Sequence, residues 1–328
     1  MALKAPPEAP PGMTEYRRDL QGAALEPLWD SLAALAPREP QPQAVPFRWR
    51  YGEVRPALLQ AGALITAAEA ERRVLVLANP GLPGRRQATD TLYAGLQLIL
   101  PGETAPPHRH TQTAIRFVLE GEGAYTAVDG RKVLMAPGDF IVTPAWSWHE
   151  HGQAEAADAP MVWLDGLDVP LVGFLKAGFR EEPGGPQDSG AAAGSGAPFH
   201  CPYARAREAL EELRRSAQPD PWLGWRLDYA GPAGGALAMP TLEASLTLLP
   251  RGFEGRPVRS TDSAVLLAHE GTATAEVGGE RFELEPKDVL ALPGCTPWRL
   301  SSPEGCVLFA VSDRPVHRAL GLWREARA

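Results

Sequence analysis

Residues 92–121, LYAGLQLILPGETAPPHRHTQTAIRFVLEG, align without a gap on residues 242–271, LEASLTLLPRGFEGRPVRSTDSAVLLAHEG, at an offset of 150. Leu92/Leu242, Gly102/Gly252, Pro107/Pro257, Arg109/Arg259, Ala114/Ala264 and Gly121/Gly271 are among the identical pairs. One residue is then dropped. Val128/Val277, Gly130/Gly279, Pro137/Pro286, Asp139/Asp288 and Pro144/Pro293 continue the match at an offset of 149. Gly and Pro recurring at fixed positions mark recurring turns, so the duplication predicts two units of one topology.

The units read as antiparallel β structure. Short apolar or alternating runs (LQLIL, AIRFVLE, GAYTAV, DFIVTP, MVWLDG) are punctuated by turn residues. Gly (33) and Pro (34) make up a fifth of the 328 residues, which excludes a helical bundle. The expected class is mainly β: two small barrels, with helical segments before each. GAALEPLWDSLAALA (22–36) and ARAREALEELRRSA (204–217) read as helices, and 53–78 as helix running into a strand. The Gly/Ser/Ala-rich stretch 181–198 reads as a linker. The expected organisation is an N-terminal helical arm and connector (1–90), a first barrel (91–180), a linker and helix (181–240) and a second barrel (241–328).

The net charge of −8 offers no basic footprint, so no nucleic-acid partner is expected. Three Cys without metal-type spacing give no disulfide framework. No run approaches 18 apolar residues, and the N-terminal stretch lacks the apolar core of a secretory signal. A cytoplasmic protein without membrane contact is expected.

Four of the seven His lie in two pairs, His108/His110 and His149/His151. On a strand, residues i and i+2 share a face, so each pair projects to one side. A barrel can bring the two strands together with both pairs inward. Three neutral imidazoles suit a first-row transition metal, though ligand type alone leaves Zn, Fe, Ni, Cu and Mn open. His108, His110 and His149 are the expected ligands. Arg116 lies six residues beyond His110, an even spacing that keeps it on the inward face, where a guanidinium needs a partner. The second repeat is an internal control. Val258 and Ser260 stand at the first pair, and Trp298 and Leu300 at the second. The second barrel is therefore expected to bind no metal.

These residues resemble the cupin motifs. Gly102, His108, His110 and Gly121 match the first, with Ala114 where a Glu ligand is usual; Gly138, Pro144 and His149 match the second, with Trp146 in place of Gly. APPHRHTQTAIRFVLEGEGAYTAVDG, PGDFIVTPAWSWHEHG and VWLDGLDVPLV resemble the gentisate 1,2-dioxygenase family, which includes salicylate and 1-hydroxy-2-naphthoate dioxygenases. The resemblance covers nearly the whole chain and is weakest over 181–198. It implies a bicupin, with cupin 1 (91–180) metal-binding and cupin 2 (241–328) degenerate. It also implies Fe(II), a small aromatic acid and O2 as partners, and a homo-oligomer, tetramer or dimer. The implied reaction is extradiol-type cleavage of gentisate between its carboxyl- and hydroxyl-bearing carbons, giving maleylpyruvate. Residue by residue, the resemblance implies that Arg116 meets the substrate carboxylate and that His151 bonds substrate or the oxygen species. It places Asp165 near the ring hydroxyl as base or orienting group, and Gln97 near the ligand. Asp165 also reads as a turn residue before Gly166, and Trp146 and Trp148 read equally as pocket walls or as packing. Tyr93 and Gly95 are positioned to shape substrate choice. Salicylate or 1-hydroxy-2-naphthoate as substrate, a non-catalytic metal-binding cupin, and a Zn or Mn isomerase or hydrolase remain as alternatives.

Overall fold

The computed structural model describes residues 10–183, 199–229 and 239–328. Among them, the apolar runs bounded by Gly and Pro form strands that assemble into four antiparallel sheets. The first repeat supplies two. One contains, in spatial order, Phe199–Cys201, Phe140–Thr143, Ala114–Glu120, Met161–Leu167, Tyr93–Ile99 and Val74–Val76; the other contains Arg180–Glu181, Thr104–His110, His149–Gln153, Ala124–Val128 and Arg131–Leu134. The second repeat builds the corresponding pair around Ala264–Gly271 and Trp298–Ser302. The chain forms two compact units, one up to Gln41 and one over Pro42–Ala328. The smaller contains helices Met13–Gly22 and Leu28–Leu35. The first was not expected, and the second starts only after Pro27, six residues later than expected. The expected linker lies, from 184 onward, outside the described residues. No described helix is long and apolar enough to cross a membrane.

The duplication reaches further upstream than the barrel strands, and there it is reciprocal. Phe47–Trp49, which precedes the first barrel, pairs with Val289–Leu292 of the second. Phe199–Cys201, which precedes the second, pairs with Phe140–Thr143 of the first. A 14-residue helix follows each strand, Tyr51–Leu64 and Tyr203–Ser216, and buries Leu58 and Leu210 respectively. Each helix start is pinned to the other barrel in the same way. The backbone N–H of Tyr51 donates to Asp288 Oδ1 (2.8 Å), and that of Tyr203 to Asp139 Oδ1 (2.9 Å). Each helix is also tied to its own barrel: Arg55 Nε donates to Glu120 (2.7 Å), and Arg207 Nε to Glu270 (3.2 Å). Ahead of the barrels, Thr91 Oγ1 donates to Asp313 (2.5 Å) and Thr241 Oγ1 to Asp168 (2.6 Å). Gly138 permits one of these junctions: it has φ 83°, and a Cβ there would sit 2.5 Å from the Tyr203 ring.

The main core lies between the sheet containing Ala114–Glu120 and the sheet containing Ala264–Gly271, where Phe117 stacks on Phe309 (4.2 Å between centroids) and Phe140 on Tyr229 (4.2 Å). The two barrel interiors differ. The second is packed with Leu266, Leu290, Leu292, Leu300 and Leu308, and its remaining cavity is only about 50 Å³. At the positions of Leu266, Leu292 and Leu300, the first barrel has Arg116, Thr143 and His151. It keeps a smaller apolar cluster (Ile99, Val118, Ile141, Trp163) at one end and an open cavity of about 260 Å³ at the other.

Candidate metal centre

The strands Thr104–His110 and His149–Gln153 pair antiparallel, with His108 directly opposite His149. Period two then turns His108, His110, His149 and His151 to the barrel interior. One nitrogen from each of His108, His110 and His149 lies within 4.8 Å of the others, the spacing of a shared cation. Their ring centroids are 4.2 to 5.3 Å apart, and His151 stands behind, 5.9 Å from His149. This is the only such His/Cys/Asp/Glu group among the described residues.

Two of the rings have their tautomer set. A backbone carbonyl can only accept, so His110 Nδ1 donates to Gln112 O and His149 Nδ1 to Ser147 O, each at 2.9 Å. Their Nε2 lone pairs are left for a metal, the orientation that outer hydrogen bonds impose on ligating imidazoles. Burial, reinforced by the nearby Arg72 charge, lowers the His108 pKa to about 3. Burial lowers His110 to about 4, and His149 and His151 well below the usual imidazole range. All four rings are neutral near pH 7, as ligation requires. Ala114, where many such sites carry a carboxylate, lines the cavity and offers no donor. The donor set therefore fits a divalent transition metal with open positions.

The rest of the cavity wall comes from the strands Tyr93–Ile99, Ala114–Glu120 and Met161–Leu167, and includes Tyr93, Gln97, Arg116 and Asp165. Arg116 and Asp165 are register partners on adjacent strands. Asp165 thus lies within a strand, and the turn reading is overturned. Asp165 Oδ1 accepts from Trp163 Nε1 (3.1 Å) and stands 3.5 Å from Arg116 Nε. Burial, partly offset by Arg116, pushes the Asp165 carboxyl up to about 6. Arg116 also donates to Thr143 Oγ1 (2.5 Å), yet its Nε and the Nδ1 of His151, both buried, have no hydrogen-bond partner among the described residues. Buried polar atoms without partners are uncommon and point to a missing ligand.

Sequence reasoning missed Arg72. It follows helix Ala67–Ala70 and enters the cavity wall beside His108, donating to Pro106 O (2.6 Å) and lying against His108 Nδ1. Burial and the neighbouring Arg116 lower its pKa to about 10. Trp146 and Trp148 do not line this cavity. Trp146 takes φ 64° at a turn where glycine is usual, its N–H donates to His110 O (2.8 Å), and its ring packs on Phe179 and Arg109. Of the remaining His, His200 bonds Asp139 (2.8 Å), His269 packs on Tyr203 and Phe117, and His317 pairs with Asp313 (3.3 Å).

Residues 95–167 match the cupin domain family model. The chain is 40% identical to gentisate 1,2 dioxygenase 1 of Aquipseudomonas alcaligenes over 97% of this chain and 98% of that one. It is 35% identical to 1-hydroxy-2-naphthoate 1,2-dioxygenase of Nocardioides sp. (strain KP7), over 87% of this chain and 80% of that one. The crystal structure of salicylate 1,2-dioxygenase from Pseudaminobacter salicylatoxidans superposes with a TM-score of 0.88 at 32% identity, covering 98% of this chain and 99% of that one.

Proposed function

The chain belongs to the gentisate 1,2-dioxygenase family, and from that membership we propose that it opens the ring of gentisate (2,5-dihydroxybenzoate) between the carboxyl- and hydroxyl-bearing carbons, with Fe(II) held by His108, His110 and His149. The protein is a ring-cleaving dioxygenase with a cupin fold and a three-His metal site. Both atoms of O2 enter the product, maleylpyruvate, and the substrate supplies the electrons. The observation that carries the substrate reading is the buried, incompletely bonded Arg116 facing the same cavity as the histidines.

When bound, Fe(II) supplies a redox-active Lewis acid on which an adjacent carboxylate and hydroxyl can chelate. Three neutral imidazoles leave its charge uncancelled. The carboxylate is met by Arg116, with Arg72 as a second cation. Asp165 Oδ1 is held by Trp163 and Arg116, and Oδ2 is left to take the ring hydroxyl proton. His151 offers its unpartnered Nδ1 to substrate or oxygen, and Gln97 orients the ring. The metal chemistry belongs to 91–180. The division into 1–90, 91–180, 181–240 and 241–328 is part of the proposal, with one strand crossing from each flank to the opposite barrel. We further infer a homo-oligomer, dimer or tetramer. The exposed Leu28, Trp29, Leu32 and Leu35 of one helix support self-association.

The test is anaerobic reconstitution with Fe(II), followed by oxygen uptake and ultraviolet absorbance with gentisate, salicylate and 1-hydroxy-2-naphthoate. Gentisate is expected to give the highest kcat/KM. Higher values with either of the other acids reassign the substrate, and no oxygen uptake with any of them rejects the reading.

A further inference from the structure

Arg109 lies between two of the metal-site histidines in sequence, and period two puts it on the opposite, outer face of the strand Thr104–His110. Its guanidinium carbon is 4.4 Å from the ring centroid of Trp146 and 4.9 Å from that of Trp148. Its Nε donates to Glu181 Oε2 at 2.7 Å, and Glu181 is its register partner on Arg180–Glu181. Both charged side chains are shielded, 13% and 10% exposed. A cation between two indoles with a carboxylate at its edge has little freedom to move.

The same turn holds the third histidine. Ser147, between the two Trp, accepts the Nδ1–H of His149, and the Trp146 N–H is bonded to His110 O. The outer clamp therefore ties the strand that carries His108 and His110 to the turn that delivers and orients His149. The second barrel provides the contrast. Arg259 stands where Arg109 does and donates to the carbonyl of Cys295 (2.7 Å). The two Trp positions are Cys295 and Pro297, and the register counterpart of Glu181 is Ala326. The arginine occurs in both barrels, but at these three positions the two indoles and the register-partner carboxylate stand only in the first.

We propose that Arg109 is a positioning residue which, from outside the barrel, sets the spacing of His108, His110 and His149 and so the affinity of the site for its metal. The proposal rests on the metal reading of the three histidines, and its test keeps the two apart. Apoprotein is titrated anaerobically with Co(II) against a chromophoric chelator, and the visible d–d spectrum is recorded. Wild type binds Co(II); no binding would reject the metal reading itself. R109M is expected to bind about 10- to 100-fold more weakly, the range seen when an orienting partner is removed, with an altered spectrum. R109K is expected to recover part of the loss. R259M, in the barrel without the three-histidine cluster, should bind like wild type. Wild-type affinity and spectrum in R109M overturn the proposal, as does an equal loss in R259M. Should R109M fail to fold, E181Q carries the same test: a loss of several-fold supports the clamp, and unchanged affinity overturns it.

Discussion

Arg116 and Asp165 face one another across adjacent strands, Nε to Oδ1 at 3.5 Å, and both are buried where the three-histidine cavity closes. Neither charge is fully satisfied by the other. Arg116 retains a buried Nε without a hydrogen bond, and burial raises the Asp165 pKa despite the adjacent cation. A pair left short of partners in this way is suited to exchange part of its bonding with an incoming acid.

Replacing Arg116 with Lys keeps the charge and removes the planar fork that reaches Thr143 and Asp165 together. We expect kcat/KM for gentisate to fall about 10- to 100-fold, mostly through KM, equivalent to ~1.4–2.8 kcal/mol of lost binding. Steady-state oxygen uptake measures it. An unchanged KM would show that the carboxylate is held elsewhere.

Asp165 predicts a pH dependence. Its carboxyl is pushed up to about 6, so it is ionised and able to take a proton above that value and is protonated below it. The rate should fall as pH drops through about 6, while Asp165→Asn should be slow and flat across the same range. A wild-type profile with no limb near 6 would remove Asp165 as the base.

Metal content separates the two barrels. Wild type should hold about one iron per chain, and His149→Ala close to none, since two remaining imidazoles hold a labile divalent ion poorly. Elemental analysis after anaerobic loading and desalting reads this directly. Two irons per chain would place a second site in the barrel that carries Val258, Ser260, Trp298 and Leu300.

Leu266, at the position of Arg116, is part of the packing that fills the second barrel. Leu266→Ala should lower stability by ~2–5 kcal/mol while leaving the KM for gentisate unchanged. Denaturant unfolding and oxygen uptake together test it. A large rise in KM would mean that this barrel shapes the catalytic cavity.

Much of this arrangement is visible in residue spacing. The gapless repeat from Leu92 to Gly121 reports matching strands and turns, and two HxH pairs report one inward face. Arg116 also faces the interior, but from the next strand, beyond the turn at 111–113, so the even interval from His110 is not what places it there. What spacing misses is contact made by segments without a period. Arg72 follows a four-residue helix and a Glu71 with φ 52°, and only the tertiary path brings it beside His108. Trp146 and Trp148, which the sequence leaves open between pocket wall and packing, pack against Arg109 on the outer side, away from the cavity. The upstream part of the duplication, Phe47/Tyr51/Arg55 against Phe199/Tyr203/Arg207, is a handful of identities at an offset of 152, without the gapless run that revealed the barrels.

The exchange of Phe47–Trp49 and Phe199–Cys201 makes each half a cofactor for the folding of the other. Cut between the repeats, the histidine-bearing half would lose the strand that covers Phe140–Thr143, and the other half would lose the one that covers Val289–Leu292. Each would expose an apolar sheet edge, a ready template for aggregation. The half without the histidine cluster is therefore not dispensable. Its deletion would remove part of the wall behind the working site.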